Sequence, residues 1–485
     1  MEFVIRGQRR TLALMAAVSF VGGVAEALFL ITATRAAFAI TDGSERIGIV
    51  AGRYLSVGGA LGLAVALVVV RVACAVLAGW QAAALASAVL ARIRHQVARA
   101  FLRASWSVQQ KQRGGSLQEL LSGYSGQASN LMSGVNQGMV AVANLVALLG
   151  LAIAVDPLGA LVLVGSVTVL GSLLRPLRRA VRRRSRRHAD AGMDLATMVN
   201  DISALGLEIH VFNVQVQAAD EVSMQIERAR ERYRSLVFVS GLSIPAYVGL
   251  AYLSVIGALG LVALSDRTTL ASLGAAMLVM LRSLSYGQAL QTAYVSLSSS
   301  APVIDELMAQ LAVMEAGHQH DRGDPVGSVG VLAADHVTFA YVHGQDVLRD
   351  VTFEIQRQEI GGIVGPSGGG KSTLVQLLLG LRVPDSGQIL ADGRDIRSLD
   401  PAQWARRVTF VPQEPHLLVG TIAQNIRFLR PGVTDEEVEA AARLAHLHEE
   451  IHAHPEGYGR VVGAMGGDIS GGQRQRLCIA RALVE

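Results

Sequence analysis

Lysine is almost absent from this 485-residue sequence: of its 43 basic residues only Lys111 and Lys371 are lysines. The bias fits a GC-rich coding sequence, and it makes each surviving lysine worth explaining. Charge of either sign is scarce too. Asp, Glu, Lys and Arg make up 17% of the chain, against about a quarter in an ordinary soluble domain. With 51% apolar residues and a positive mean hydropathy, the composition argues against disorder and against a conventional cytosolic enzyme. Two cysteines, Cys74 and Cys478, stand far apart and suggest no disulfide framework. What charge there is divides unevenly. Residues 1–316 hold 27 basic and 18 acidic side chains, whereas residues 317–485 hold 16 and 21. A basic, apolar half followed by an acidic, more polar half reads as a membrane domain joined to a soluble one.

Six apolar stretches, 11–40, 55–90, 135–155, 158–174, 236–264 and 269–290, reach or nearly reach the about 20 residues that a membrane-crossing helix needs. Asp156-Pro157 suits a tight turn between the third and fourth. An uncleaved signal peptide is the weaker reading of the first stretch, which is long and lacks a clear small-residue cleavage site. Basic residues collect in two long connections, at 91–130 and at 175–235, the latter with twelve arginines, eight of them between Arg175 and Arg187. The loops at 41–53, 156–157 and 265–268 carry almost no net charge. The positive-inside rule therefore places both connections, the N-terminus and the soluble half in the cytoplasm of a multi-pass inner-membrane protein. Few breakers interrupt these connections, which predicts helices extending well beyond the membrane. The tract Arg178–Arg187 is read as anchoring plus a solvated helix face rather than as a nucleic-acid site, so no nucleic-acid partner is expected. Glu26 falls near the middle of the first stretch, where a buried charge costs at least a few kcal/mol. It should face a cavity or a partner, and Arg71 in the second stretch is a candidate. A role in a substrate path and a purely structural contact both stay open.

Residues 315–330 are polar and glycine-rich and mark a linker between a domain at 1–314 and another at 331–485. His318 and His320 within it, and His446, His448, His452 and His454 further on, lack a metal-ligand spacing and are read as solvated. Beyond the linker, 337–342 and 348–355 read as strands, and Glu359–Val364 is an apolar run ending in glycine. There follow Gly365, Pro366, Ser367, Gly368, Gly369, Gly370, Lys371, Ser372 and Thr373, and then the helical run Leu374–Leu381. The match to G-x-x-x-x-G-K-[ST] is complete, with 359–364 read as the strand in the strand, loop and helix context it requires. Glycines let the backbone wrap phosphate oxygens, and N–H groups at a helix start attract anions. Lys371 would reach the β- and γ-phosphates, and Ser372 would offer a hydroxyl to Mg²⁺. One of the two lysines thus stands where a nucleoside triphosphate requires one.

At this point the chain resembles an ATP-binding cassette exporter half-transporter, an all-α six-helix transmembrane domain followed by an α/β P-loop NTPase domain. Tyr341 matches the aromatic that stacks on adenine in that family, with a strand-core tyrosine as the plainer reading. Val411-Pro412-Gln413 is similar to its glutamine loop, where Gln413 would approach Mg²⁺, and the run Pro415–Ile426 is similar to the exporter branch. Ser470, Gly471, Gly472 and Gln473, preceded by Ile469 in place of the more usual leucine, match its signature loop. The resemblance implies ATP and Mg²⁺ as ligands. It also implies a second half-transporter, identical or not, whose phosphates Ser470 and Gly472 would contact, and membrane lipid and an unidentified cargo as further partners. Segments near 112–120 and 206–213 look like the helices that dock on the cassettes.

The sequence also departs from the family. Its second acidic motif, carrying the Mg²⁺-binding aspartate and the water-activating glutamate, should follow at a greater distance than the twelve residues Arg474–Glu485 allow, and the switch histidine is missing with it. No catalytic residue can therefore be named, and hydrolysis by these residues alone is not expected. Strands of the central sheet should be missing too, and the expectation is a C-terminally truncated sequence. Two function classes follow: an ATP-driven exporter working by alternating access, or a non-catalytic half that binds ATP and serves a complete partner. An importer on the exporter fold is a third possibility.

Overall fold

The computed structural model describes residues 9–41, 46–48, 54–112, 116–155, 165, 168, 172–263, 270–317, 323–463 and 469–484. The chain divides into two compact units, Met1–Ala104 with Val108–Gly317, and His318–Glu485 with Ser105–Ser107.

The first unit is built of long helices. In chain order it contains α1 (Arg9–Thr41), the short hairpin β1 (Arg46–Gly48) and β2 (Tyr54–Ser56), and α2 (Val57–Arg103). Next come α3 (Trp106–Lys111), whose first two residues are counted with the second unit, α4 (Ser116–Glu119) and, after a π-helical turn at Leu120–Tyr124, α5 (Ser125–Val155). The remainder is α6 (Arg175–Ala204), α7 (Gly206–Val211), α8 (Gln215–Ala263) and α9 (Leu270–Ala316). Among the described residues three helical spans, Arg10–Thr41, Val57–Arg103 and Leu117–Gly150, are long and apolar enough to cross a membrane. The stretches 236–264 and 269–290 lie on α8 and α9. Most of 158–174, the Asp156-Pro157 turn, most of the loop at 41–53 and the loop at 265–268 fall outside the described residues.

Helix α2 shows how the membrane part passes into the basic connection. Its 47 residues extend roughly 70 Å at about 1.5 Å per residue, more than twice a hydrocarbon core. Ser56 caps its start by accepting the Gly59 N–H at 3.2 Å. Its first half exposes Val65, Val69, Val72, Val76 and Trp80. Further on, Leu85, Val89, Ile93, Val97 and Ala100 form one buried stripe at helical spacing. That stripe packs on Leu131 and Met132 of α5 and on Ile304, Leu307, Leu311 and Met314 of α9. In α6 only Val181 and Ser185 are buried within the arginine tract, and Ser185 Oγ donates to the Ser299 carbonyl at 2.8 Å.

The second unit has a four-stranded antiparallel sheet in the order β4-β3-β5-β6, formed by β3 (Val331–Ala340), β4 (Asp346–Gln356), β5 (Ser386–Ala391) and β6 (Arg394–Asp395). Helix α10 (Lys371–Leu378) lies against it, and α11 (Pro401–Arg407) follows. A helical portion comprises the small pair β7 (Gly420–Thr421) and β8 (Val461–Val462), with α12 (Ile422–Arg427), α13 (Asp435–Leu444), α14 (His448–His452) and α15 (Gly471–Leu483). Part of the proposed linker is packed rather than free. Asp324 N–H donates to the Ser398 carbonyl at 2.8 Å, and Val326 and Val329 pack on Leu399 and Trp404. His318 and His320 lie outside the described residues.

One sequence expectation is overturned. The apolar run 359–364, read as the strand that leads into the glycine loop, is not a strand, and neither is the apolar run 408–411. Ile360 and Val364 are 97% and 93% exposed. A strand exists only where a neighbour takes up its backbone N–H and C=O groups, and none of the described strands lies beside these runs.

Candidate nucleotide site

The glycine loop is anchored on one side, by the helix that follows it. Behind it, Leu374 and Leu377 of α10 bury themselves against Ala334, Val337, Phe339, Leu348 and Ile389 of the sheet. Within it, Gly368 and Gly370 take φ of +79° and +83°, and Gly370 caps α10. A Cβ on Gly370 would stand 2.7 Å from Leu348 Cδ2. Left-handed backbone and close approach of β4 therefore both demand glycine there. The first turn of α10 presents N–H groups without intrahelical acceptors, at the positive end of the helix dipole. Lys371 folds back over the loop, Nζ donating to the carbonyls of Gly365 at 2.9 Å and Pro366 at 2.8 Å. Both acceptors are neutral, so the ammonium keeps its full charge for an anion. Ser372 is exposed beside it and Thr373 is buried.

Tyr341 follows the end of β3 and is 52% exposed, so it is not a strand-core tyrosine. Its hydroxyl lies 3.0 Å from Thr373 Oγ1, which ties the aromatic to the glycine loop. One face of its ring is backed by the Arg382 guanidinium, 4.6 Å from the centroid, and Phe339 meets it edge-on. Arg382 escaped the sequence reading because a guanidinium stack leaves no local spacing pattern.

Gln413 is exposed in the irregular segment before β7. The fully buried Asn425 clamps the residues after it, Oδ1 accepting the Leu418 N–H and Nδ2 donating to the Leu418 carbonyl, both at 2.9 Å. The signature residues open α15. Ser470 Oγ accepts the Gln473 N–H at 3.2 Å, and Gln473 Oε1 accepts the Ser470 N–H at 2.9 Å, a complete capping box. Glu450 holds this box from α14, accepting from Gln473 Nε2 at 2.9 Å and from Arg476 at 2.5 Å. Ile469 is buried as an anchor while Ser470, Gly471 and Gly472 stay exposed. Burial pushes the Cys478 thiol up, making it a packing group rather than a reactive one. His448, read from the sequence as solvated, is instead buried: it hydrogen-bonds Tyr458 through Nδ1 at 2.8 Å and stacks on His452. Among the described residues no three His, Cys, Asp or Glu side chains gather as a metal cage.

A family model described as the ABC transporter transmembrane region matches residues 12–296, more than half of the chain, and one described as ABC transporter matches residues 348–485. The chain belongs to the ABC transporter family. It is a multi-pass membrane protein with a nucleotide-binding domain. Among curated relatives of this ABC chain, the mycobactin import ATP-binding/permease protein IrtA of Mycolicibacterium thermoresistibile is 39% identical over 215 residues, 44% of this chain and 24% of that protein. The mitochondrial potassium channel ATP-binding subunit of Pongo abelii is 47% identical over 160 residues, 32% and 22% of the two chains. The cyclolysin secretion/processing ATP-binding protein CyaB of Bordetella pertussis is 46% identical over 156 residues, again 32% and 22%. The chain therefore spans about a quarter of the length of the curated relatives it matches. A bacterial Atm1-family ABC exporter solved with ATP bound has the same fold, with a TM-score of 0.84 at 20% identity, over 100% of this chain and 84% of that one.

In the membrane unit of this ABC chain, Arg71 does reach Glu26, Nε donating to Oε2 at 2.9 Å. Two further partners, Arg282 and Tyr286 of α9, were missed. The composition held a signal for Arg282, which interrupts the apolar stretch 269–290 as Arg71 interrupts 55–90. Of the two segments expected from the resemblance to dock, 206–213 contains α7, with Leu207, Val211 and Phe212 each about 70% exposed. In 112–120, residues 113–115 lie outside the described residues.

Proposed function

We propose that this chain is one half of an exporter-type transporter that couples ATP binding and hydrolysis to movement of a cargo across the cytoplasmic membrane. The observation that carries this reading is the division of labour within the second unit. One helix start, at Gly370–Thr373, is built with a cation and left-handed glycines. Another, at Ser470–Gly472, is braced from behind and left open in front. ATP would lie with its adenine on the free face of Tyr341 and its phosphates along Gly365–Thr373, neutralised by Lys371. Ser372 and Gln413 would hold Mg²⁺, which supplies charge neutralisation at the phosphates. An open second helix start suits the phosphates of another copy or of a related half, so the working unit would be a dimer, with domains at 1–314 and 331–485 joined through 315–330.

The charge asymmetry of the connections supports a cytoplasmic N-terminus and cassette. Relatives named for mycobactin import and for cyclolysin secretion are both similar to this chain, so the similarity does not set the direction of movement. The test is vanadate-sensitive ATPase activity of the full-length protein reconstituted in membranes as a dimer, together with binding of trinitrophenyl-ATP. Activity lost in Lys371→Ala is the expected result. Failure of the unaltered protein to bind the nucleotide would overturn the reading, and binding without turnover would favour the non-catalytic half.

A further inference from the structure

Glu26 is the sole acidic residue in the six apolar stretches, which also hold three arginines, Arg35, Arg71 and Arg282. Three helices bring a subset of these together. Arg71 of α2 donates Nε to Glu26 Oε2 at 2.9 Å and Nη2 to the Tyr286 hydroxyl at 3.2 Å. Arg282 and the Tyr286 hydroxyl, both on α9, also donate to the Glu26 carboxylate. The Arg282 guanidinium lies 5.3 Å from the Tyr286 ring centroid. Two guanidiniums thus share one carboxylate, leaving a surplus of one positive charge, and no other carboxylate exists in the apolar stretches to cancel it.

An uncompensated cation among apolar helices is costly, and here it is not sealed away. The Glu26 side chain is 9% exposed, whereas Arg71 and Arg282 keep 27% and 45%. A second polar group lies close along α1. Asn144 of α5 is buried, and its Oδ1 has no hydrogen-bond partner among the described residues. It faces Gly23, one turn before Glu26, where a Cβ would come within 2.7 Å of that oxygen. Apolar side chains of Ala27 and Leu148 surround the group. Planar guanidiniums match the oxygens of a carboxylate or phosphate, and a ligand carrying one such group would restore neutrality.

We propose that Arg71 and Arg282 recognise the anionic head of an amphiphilic molecule, a carboxylate or phosphate monoester with an apolar body, and that Glu26 is a built-in competitor that occupies both arginines until the ligand arrives. This rests on the transporter reading and names the chemical class of its cargo.

The test uses the nucleotide-free protein in phosphatidylcholine nanodiscs, titrated with dodecyl phosphate and, as a neutral control, dodecanol. Dodecyl phosphate should bind and dodecanol should bind at least tenfold more weakly. Arg282→Gln should weaken dodecyl phosphate roughly tenfold or more, with Arg282→Lys intermediate. Glu26→Gln should tighten binding several-fold, because it frees both guanidiniums. A merely structural ion-pair cluster gives no such opposition of sign. Equal binding of alcohol and phosphate, or shifts of Glu26→Gln and Arg282→Gln in one direction, would overturn the proposal. Trinitrophenyl-ATP binding by each variant reports folding and separates the two readings. Retained nucleotide binding without anion binding sinks this site alone, whereas loss of nucleotide binding by the unaltered protein sinks the transporter reading. If Arg282→Gln does not fold, the sign of the Glu26→Gln shift decides. Phosphatidylglycerol added to the discs distinguishes two sources of the same chemistry. Competition assigns the site to a lipid headgroup and its absence to a soluble amphiphile, and either supports an anion site.

Discussion

The two portions of the nucleotide-binding unit are built to different standards. Its helical portion is closed locally. Thr421, Thr434 and Ser470 each form a complete capping box, and Ile426, Ala442, Val462 and Ala480 are fully buried in one core. Around the glycine loop the situation is reversed. The loop's own helix is anchored on the sheet, yet the apolar runs 359–364 and 408–411 on the chain before and after it form no strand and leave Ile360 and Val364 in the open. A capping box needs only two residues three positions apart at a helix start, so it closes without help from elsewhere in the chain. A strand needs a partner from elsewhere in the chain, and without one even a strongly apolar run stays unpaired.

The comparison can be broken most directly at its two extremes. Leu377→Ala, at a fully buried site under the sheet, should destabilise the unit by about 2–5 kcal/mol. Ile360→Ala should stay within about 0.5 kcal/mol. Denaturant unfolding of the two variants checks this, and equal losses would mean that residues 359–364 are packed after all. Next in size is the loop itself. Lys371→Ala removes a charge-assisted contact of about 1.5–3 kcal/mol, so the Kd for trinitrophenyl-ATP should rise about tenfold to a hundredfold, with thermal stability unchanged. A coupled loss of both would make the lysine structural rather than a phosphate ligand.

Thr434→Ala sharpens the other side. Loss of the cap on α13 should cost about 1 kcal/mol while leaving nucleotide affinity alone, readable as a shifted unfolding midpoint with an unchanged Kd.

The smallest effect concerns Tyr458, which bonds His448 and whose phenol is pushed up to about 12, first by burial and then by Glu439. Its folded value lies above the unfolded one of about 10. Its contribution to stability is therefore present in full below about pH 10 and is lost as the pH rises toward 12. Thermal unfolding followed across that window should show the decline, and Tyr458→Phe should flatten it.

Much of this site was legible because its chemistry is contiguous. Gly365–Thr373 is one uninterrupted run, and the left-handed φ of Gly368 and Gly370 is what glycines at those positions permit. Ser470–Gln473 is another contiguous run, legible as a signature loop by resemblance, and the structure adds its capping box. Tyr341 and Gln413 were legible only by resemblance. The side chains that brace the loops were not legible at all. Arg382 behind Tyr341 and Glu450 behind Gln473 act across 41 and 23 positions, with no periodic signal to betray them. The strand expectation at 359–364 failed for a related reason: apolar composition reports a wish to be buried, not the presence of a neighbour.

The sequence by itself determined that this chain has a membrane half and a nucleotide-binding half, where its long helices run, and which lysine stands at the glycine loop. Those features rest on composition, on i to i+4 spacing and on residues adjacent in the chain. Only the tertiary structure decided that Arg282, 256 positions from Glu26, shares its carboxylate with Arg71, and that the glycine loop hangs from the sheet by one short helix. Such contacts depend on which helices and strands become neighbours, and the free energy that selects neighbours is spread over whole packed faces rather than written at any single position.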